Sequence, residues 1–384
     1  MRLERIIEAA LFTPTDRGWG LPLLFWGDPG VGKSQVIRAV AARVGLRCET
    51  LSPGERGEAA FGVVPVPQYD ADGRTPTAIG YPAPEWALPL MAAERGLVFV
   101  DELTTAAPAV APALLGLTLD KRVGGVQLPG GVRILAAANP PDRATSGYDL
   151  TPPQANRLGH VTWDPPGVPE WVSWLTGGDA ETAAAPSVAL AREAAVAQKW
   201  PGAHARAKGL VGAFLRARPG LLHAMPDVAH PDASRAWPSP RSWSYATRAI
   251  AAGDVHELGD VDADVLVSGF VGEGAAAEFW TFRTEQDMPD PEGVLDGAIA
   301  FVPDPCRLDR TFAVLGACVA LVTPPKAPRR DARCEMLAGI LMDVVEDAPD
   351  IVQPAVVALA RAGFRSAPTM QDVLVRFGRL LDVK

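Results

Sequence analysis

The sequence predicts an α/β fold, a parallel sheet with helices on both faces followed by a wholly helical remainder. Three observations carry this expectation. Five short apolar runs rich in strand formers fall within the first 165 residues; helical stretches separate most of them; and after Pro166 the strand signals fade into Ala-rich amphipathic segments.

Taken in order, MRLERIIEAALF carries Glu4 and Glu8 among apolar positions, which predicts an amphipathic helix and not a signal peptide. LPLLFW (21–26) is the first strand, and SQVIRAVAARVG after it the first crossover helix. RCETL (47–51) is the second strand. Between Phe61 and Trp86 the pattern changes to valines and isoleucines flanking an Asp-Gly turn at Asp72 and Gly73, an inserted hairpin whose five prolines confine it to an edge. GLVFV (96–100), RILAAA (133–138) and HVTW (160–163) supply the remaining strands, with TTAAPAVAPALLGLTL forming a helix after the third. Residues 1–165 therefore form the α/β domain. The segments VPEWVSWL, SVALAREAAVAQKW, AKGLVGAFLRARPGLLHAM and SPRSWSYATRAIAAG make a small helical domain over 166–253. ADVLVSGFVGEGAAAEFWTFR, LDRTFAVLGACVALV, CEMLAGILMDVVEDA and QDVLVRFGRLL make a C-terminal helical region, 254–384.

Composition narrows the function. With 384 residues, 48% hydrophobic and 21% charged, the chain is globular and long enough for two or three domains. The net charge of −9 and the presence of only six lysines argue against phosphate neutralisation along a nucleic acid. Four scattered cysteines without a C-x-x-C pair predict neither a zinc site nor disulfides, and fit a reducing, cytoplasmic setting. The longest apolar run, Phe312 to Val322, is too short to span a bilayer. The histidines lack metal-ligand spacing, the acidic run EQDMPDPE reads as a solvated turn, and Trp163, Trp171 and Trp174 fall where core or lid packing accounts for them.

Chemistry concentrates in three places. Gly27-Asp28-Pro29-Gly30-Val31-Gly32-Lys33-Ser34 fits G-x-x-x-x-G-K-[ST] without departure, between a strand and a helix. Such a loop curls its N–H groups around the phosphates of a nucleoside triphosphate; Lys33 would reach the β- and γ-phosphates and Ser34 would bind Mg²⁺. The strand Leu97–Val100 ends in Asp101 and Glu102. There Asp101 can hold the magnesium water shell and Glu102 can activate a water, although acidic residues opening a helix would look the same. The run ILAAANPPD ends a strand at Asn139, an amide able to hold the γ-phosphate or the lytic water; its plainer reading is an Asn-Pro turn.

GDPGVGKS, LVFVDEL, AAANPPD, TPPQANRLGHVTW and SPRSW, in this order, resemble the AAA+ ATPases of the MoxR-like, dynein-related group that carries an insert in helix 2. The resemblance covers Gly18 to about Gly253. It implies a P-loop NTPase core of five parallel strands, a helical lid over 166–253, ATP and Mg²⁺ as cofactors, and homo-oligomeric assembly, usually a hexameric ring. The hairpin at 61–86 matches the clade's insert, directed at the ring's central pore. Residue by residue, Asn139 matches sensor 1, Arg157 in ANRLGH the arginine finger, and Arg241 in SPRSW sensor 2. Many relatives have Phe after the finger arginine, where this chain has Leu158.

The function expected is therefore an ATP-hydrolysing ring that remodels or activates a partner protein, with a von Willebrand A domain protein as a plausible partner. Two alternatives are a nucleotide switch or scaffold without turnover, which intact Glu102, Asn139 and Arg157 oppose, and a GTP-driven subunit of a nucleic-acid restriction complex, which the acidic balance opposes.

Overall fold

The structure, a computed structural model, describes residues 2–72, 74–140, 148–177, 183–285, 287–364 and 368–382. Five strands, β1 (Leu23–Trp26), β2 (Cys48–Leu51), β3 (Arg95–Val100), β4 (Gly131–Ala138) and β5 (Gly159–Thr162), form one sheet in the order β5-β1-β4-β3-β2. Every pairing is parallel. All four residues of β1, and all but the first of β3 and β4, are buried, as expected for parallel strands covered on both faces. The register sets Ala138 opposite Trp26 and Val100 opposite Leu51 and Ala136. The next residues along, Gly27, Asp101 and Asn139, therefore leave the sheet at the same carboxyl end, where open α/β sheets bind their ligands.

Helices α1 (Arg2–Leu11), α2 (Lys33–Arg43), α3 (Ala87–Ala93) and α4 (Ala111–Asp120) accompany the sheet. One apolar cluster joins Leu24, Val98, Val100 and Ile134 of the strands to Leu90 of α3 and Leu114 and Leu117 of α4. After a short turn of helix, α5 (Pro152–Ala155), come α6 (Val168–Gly177), α7 (Pro186–Ala217), α8 (Pro240–Val255), α9 (Asp260–Val271) and α10 (Glu273–Glu285). The rest of the chain is helical: α11 (Pro291–Leu295), α12 (Leu308–Val322), α13 (Arg330–Val344), α14 (Pro349–Arg361) and α15 (Pro368–Asp382).

The chain forms two compact units, one of Met1–Ala197 with Met225–Glu273, the other of Gln198–Ala224 with Gly274–Lys384. The first holds the sheet. The second is built around Cys318, Cys334, Leu337, Leu341, Val352, Leu359, Met370 and Val373, all fully buried. These borders differ from the composition-based ones at 165 and 253, and one of them falls inside α7.

Four local differences from the sequence reading have physical causes. SVALAREAAVAQKW and the first part of AKGLVGAFLRARPGLLHAM merge into one 32-residue helix that runs on through Pro201 and ends at Ala217, before Pro219. The stretch ADVLVSGFVGEGAAAEFWTFR divides at Gly272 into α9 and α10. The inserted hairpin, Val66–Tyr69 paired with Pro76–Gly80, makes a two-stranded sheet of its own instead of an edge of the main one; its turn residue Gly73 lies outside the described residues. Pro67 and Pro76 bring no N–H to a ladder, and the indole of Trp86, which donates to the Ala60 carbonyl (2.7 Å), ties the base of the insert together. Finally, Trp171 and Trp174 are not core residues: they are 49% and 41% exposed, on a helix whose described side chains are all exposed.

Candidate functional site

The loop after β1 is built by glycine. A Cβ at Gly27 would meet the Trp163 carbonyl oxygen at 2.7 Å, so the chain leaves the strand against β5's following residue only because the side chain is missing. Gly30 and Gly32 have φ of 80° and 89°, left-handed values that non-glycine residues adopt at a cost, and open space lies where their side chains would be. Gly32 caps α2, whose first-turn N–H groups have no carbonyl one turn back to bond.

Lys33, the first residue of α2, is 7% exposed. Its Nζ donates to the carbonyl oxygens of Gly27 (2.6 Å) and Asp28 (2.9 Å) and to Oδ1 of Asn139 (2.9 Å). Burial pushes the ammonium's pKa down, and the charges of Asp101, Asp28 and Glu102 oppose that fall. Beside it, the Ser34 hydroxyl donates to Oδ2 of Asp101, while the Asp101 N–H is fixed by the Leu51 carbonyl (2.8 Å). Glu102 is exposed and sits at φ 54°, ψ 46°, uncommon for a residue with a side chain. Its N–H donates to Oδ1 of Asp101 (3.1 Å), and its carbonyl accepts from the Thr105 hydroxyl (2.8 Å). Strain of this kind gathers at sites where a side chain must be aimed.

Arg157 and Arg241 make a second group. Arg157 follows α5 and donates from Nη1 to the Pro153 carbonyl (2.8 Å), while its Nε is buried without a hydrogen-bond partner. Burial lowers its pKa first, and the nearby charge of Arg241 lowers it further. Arg241 is exposed, in the first turn of α8. The charge of Arg241 thus bears on Arg157 from a helix N-terminus, whose dipole is itself positive. Among the described residues neither has an ion pair.

The chain was compared with known proteins. No protein-family model matches it, and no curated protein matches it. Among the solved structures that match is that of a "putative ATPase" from Cytophaga hutchinsonii, at a TM-score of 0.45 and 14% identity, covering 74% of this chain and 88% of that one.

The donor set fits a magnesium nucleotide. A buried ammonium, an open glycine cradle at a helix N-terminus, and a hydroxyl already touching a carboxylate offer what a triphosphate and a hard cation require. Among the described residues no three His, Cys, Asp or Glu side chains converge as metal ligands, and the four cysteines are free. No helix among the described residues is long and apolar enough to cross a membrane.

Sequence reading missed the groups that hold these parts in place. His160 is a core histidine: its Nδ1 accepts from the Trp26 indole (2.9 Å), so Nε2 carries the proton and donates to the Ala155 carbonyl (3.0 Å). Burial pushes its pKa down to about 4. The Arg235 guanidinium lies over the Trp26 ring, 4.0 Å from its centroid. Asn156, beside Arg157, belongs with them, and no local signal marks these residues, because Trp26 for His160 and Trp237 for Asn156 lie far away in the chain.

Proposed function

We propose that this protein binds Mg²⁺-ATP and hydrolyses it to ADP and phosphate, as a MoxR-like AAA+ ring whose turnover remodels a partner protein. The observation that carries the reading is the convergence of Lys33, Ser34, Asp101 and Asn139 beyond the carboxyl ends of β1, β3 and β4. Lys33 exchanges its loop carbonyls for the β- and γ-phosphate oxygens. Ser34 and Asp101 would hold the cation, which would offset charge on the phosphates. Glu102 orients a water and accepts its proton, and Asn139 fixes the γ-phosphate or that water.

Arg157 and Arg241 complete the site from a neighbouring copy, a role suited to two cations that have no ion pair among the described residues. The hairpin Val66–Gly80, exposed along both arms, is the part through which the ring would act on its partner. A von Willebrand A domain protein is the partner class the resemblance suggests. Phosphate release measured with ATP and with GTP, with and without DNA, over a series of protein concentrations tests the reading. Activity specific to ATP, unmoved by DNA and rising per subunit with concentration is expected. GTP-specific or DNA-dependent release, or none at any concentration, would overturn it.

A further inference from the structure

The charge of Arg241 acts unfavourably on Arg157, and Arg241 stands in the first turn of α8, where the helix dipole is positive; the fold holds the two segments that carry them together. Asn156 immediately precedes Arg157 and is 4% exposed. Its Nδ2 donates to the Trp237 carbonyl (3.1 Å), and its Oδ1 accepts from the Ser239 hydroxyl (2.7 Å). Ser239, also 4% exposed, is the N-cap of α8: its Oγ accepts from the Ser242 N–H (3.1 Å), and the Ser242 hydroxyl accepts in return from the Ser239 N–H (2.8 Å). Pro240 follows at the first helical position, where its fixed φ sets the helix direction. A continuous buried chain of hydrogen bonds thus runs from the residue before Arg157 to the turn that presents Arg241. A further bond, from the Ser234 hydroxyl to the Leu150 carbonyl (2.8 Å), joins the same two segments upstream.

We propose that Asn156 is a positioning residue: it clasps the Arg157 segment to the N-terminus of α8, so that Arg157 and Arg241 meet one phosphate group as a preformed pair. The clasp needs one side chain that donates and accepts at once, which an amide does and neither a carboxylate nor an aliphatic chain can. His160 adds a second hold next to Asn156, through the Ala155 carbonyl, and the guanidinium itself donates to the Pro153 carbonyl (2.8 Å). The catalytic part of this proposal rests on the hydrolytic reading above; the clasp itself does not.

The test uses Asn156→Asp, which keeps the acceptor and loses the donor, together with Asn156→Ala and Ser239→Ala, each also combined with Arg157→Ala. Binding of a fluorescent ATP analogue, which depends on Lys33, should be unchanged. Turnover should fall in kcat by about 10²-fold for Asn156→Ala, the loss expected when a charge is displaced by an ångström, with KM little altered. In the Arg157→Ala background the same substitution should cost nothing more, because the residue acts through the arginine. Amide hydrogen exchange read by mass spectrometry should rise at Ser242 and Trp243 in Asn156→Ala while the sheet stays protected. An unchanged kcat, an equal loss in the Arg157→Ala background, or unaltered exchange at 242–243 would each overturn the proposal. Wild-type protein that binds ATP and never cleaves it would defeat the hydrolytic reading instead; the exchange result then decides the clasp alone.

Discussion

The phosphate cradle and the arginine pair are both cationic, and they handle their charge in opposite ways. In the cradle, Lys33 is surrounded by two carbonyls, an amide oxygen and the charges of Asp101, Asp28 and Glu102. It rests on its own chain, and in the proposed reading phosphate oxygens would replace those partners. Arg157 and Arg241 have a scaffold but no ion-pair partner among the described residues, and each raises the cost of the other. One region binds by exchange of partners. The other has no ion pair among the described residues, and in the proposed reading a neighbouring subunit's nucleotide would supply its counter-ion.

Substitutions that separate the two regions should rank accordingly. Lys33→Ala removes the buried ammonium and is expected to abolish ATP binding, and with it all turnover, in a fluorescent-nucleotide titration; binding at wild-type strength would show that the loop does not hold phosphate. Arg157→Ala should bind ATP normally and lose about 10³ to 10⁵ in kcat, the range for an arginine supplied in trans. A loss of binding instead would merge the two regions into one. Glu102→Gln should also bind, with kcat lowered by about 10² to 10⁴ as for removal of a general base, so that single-turnover assays trap intact ATP on the protein. Cleavage at the wild-type rate would remove Glu102 from the chemistry.

The smallest effect concerns the support between the regions. His160 is buried neutral, and its pKa of about 4 lies below the ordinary 6.5. The unfolded chain therefore binds more protons between those values, and stability should fall as pH drops from 6.5 toward 4. Between pH 7 and pH 5 the loss should be on the order of 2 kcal/mol. Urea unfolding at both pH values, compared with His160→Gln, isolates it: the variant should lack this component, and an identical slope in both proteins would place the acid sensitivity elsewhere.

What the sequence disclosed divides along the same line. The cradle is written in contiguous residues: Gly27 to Ser34 needs one loop, and Asp101, Glu102 and Asn139 each end a strand whose apolar run is visible by itself. Its assembly then follows from strand order, which puts β1 and β4 side by side and aligns their ends. The supports of the arginine pair come from partners 81 residues apart for Asn156 and Trp237, and 134 for Trp26 and His160, and nothing local announces them. Helix propensity around Pro201 outweighed the proline, so two expected helices became one. Trp171 and Trp174 misled for a different reason: an apolar stripe at helical spacing says that a face would be favourable to cover, not that its own chain covers it.

The central claim, that one copy's arginine pair completes another copy's cradle, is tested most directly by mixing two inactive variants. Lys33→Ala has the arginines and no cradle; Arg157→Ala has the cradle and no finger. Each alone should release almost no phosphate, and their mixture should regain a substantial fraction of wild-type ATP turnover as mixed rings form. A mixture no more active than the sum of its parts, in samples where fluorescence energy transfer shows that subunits have exchanged, would contradict the account.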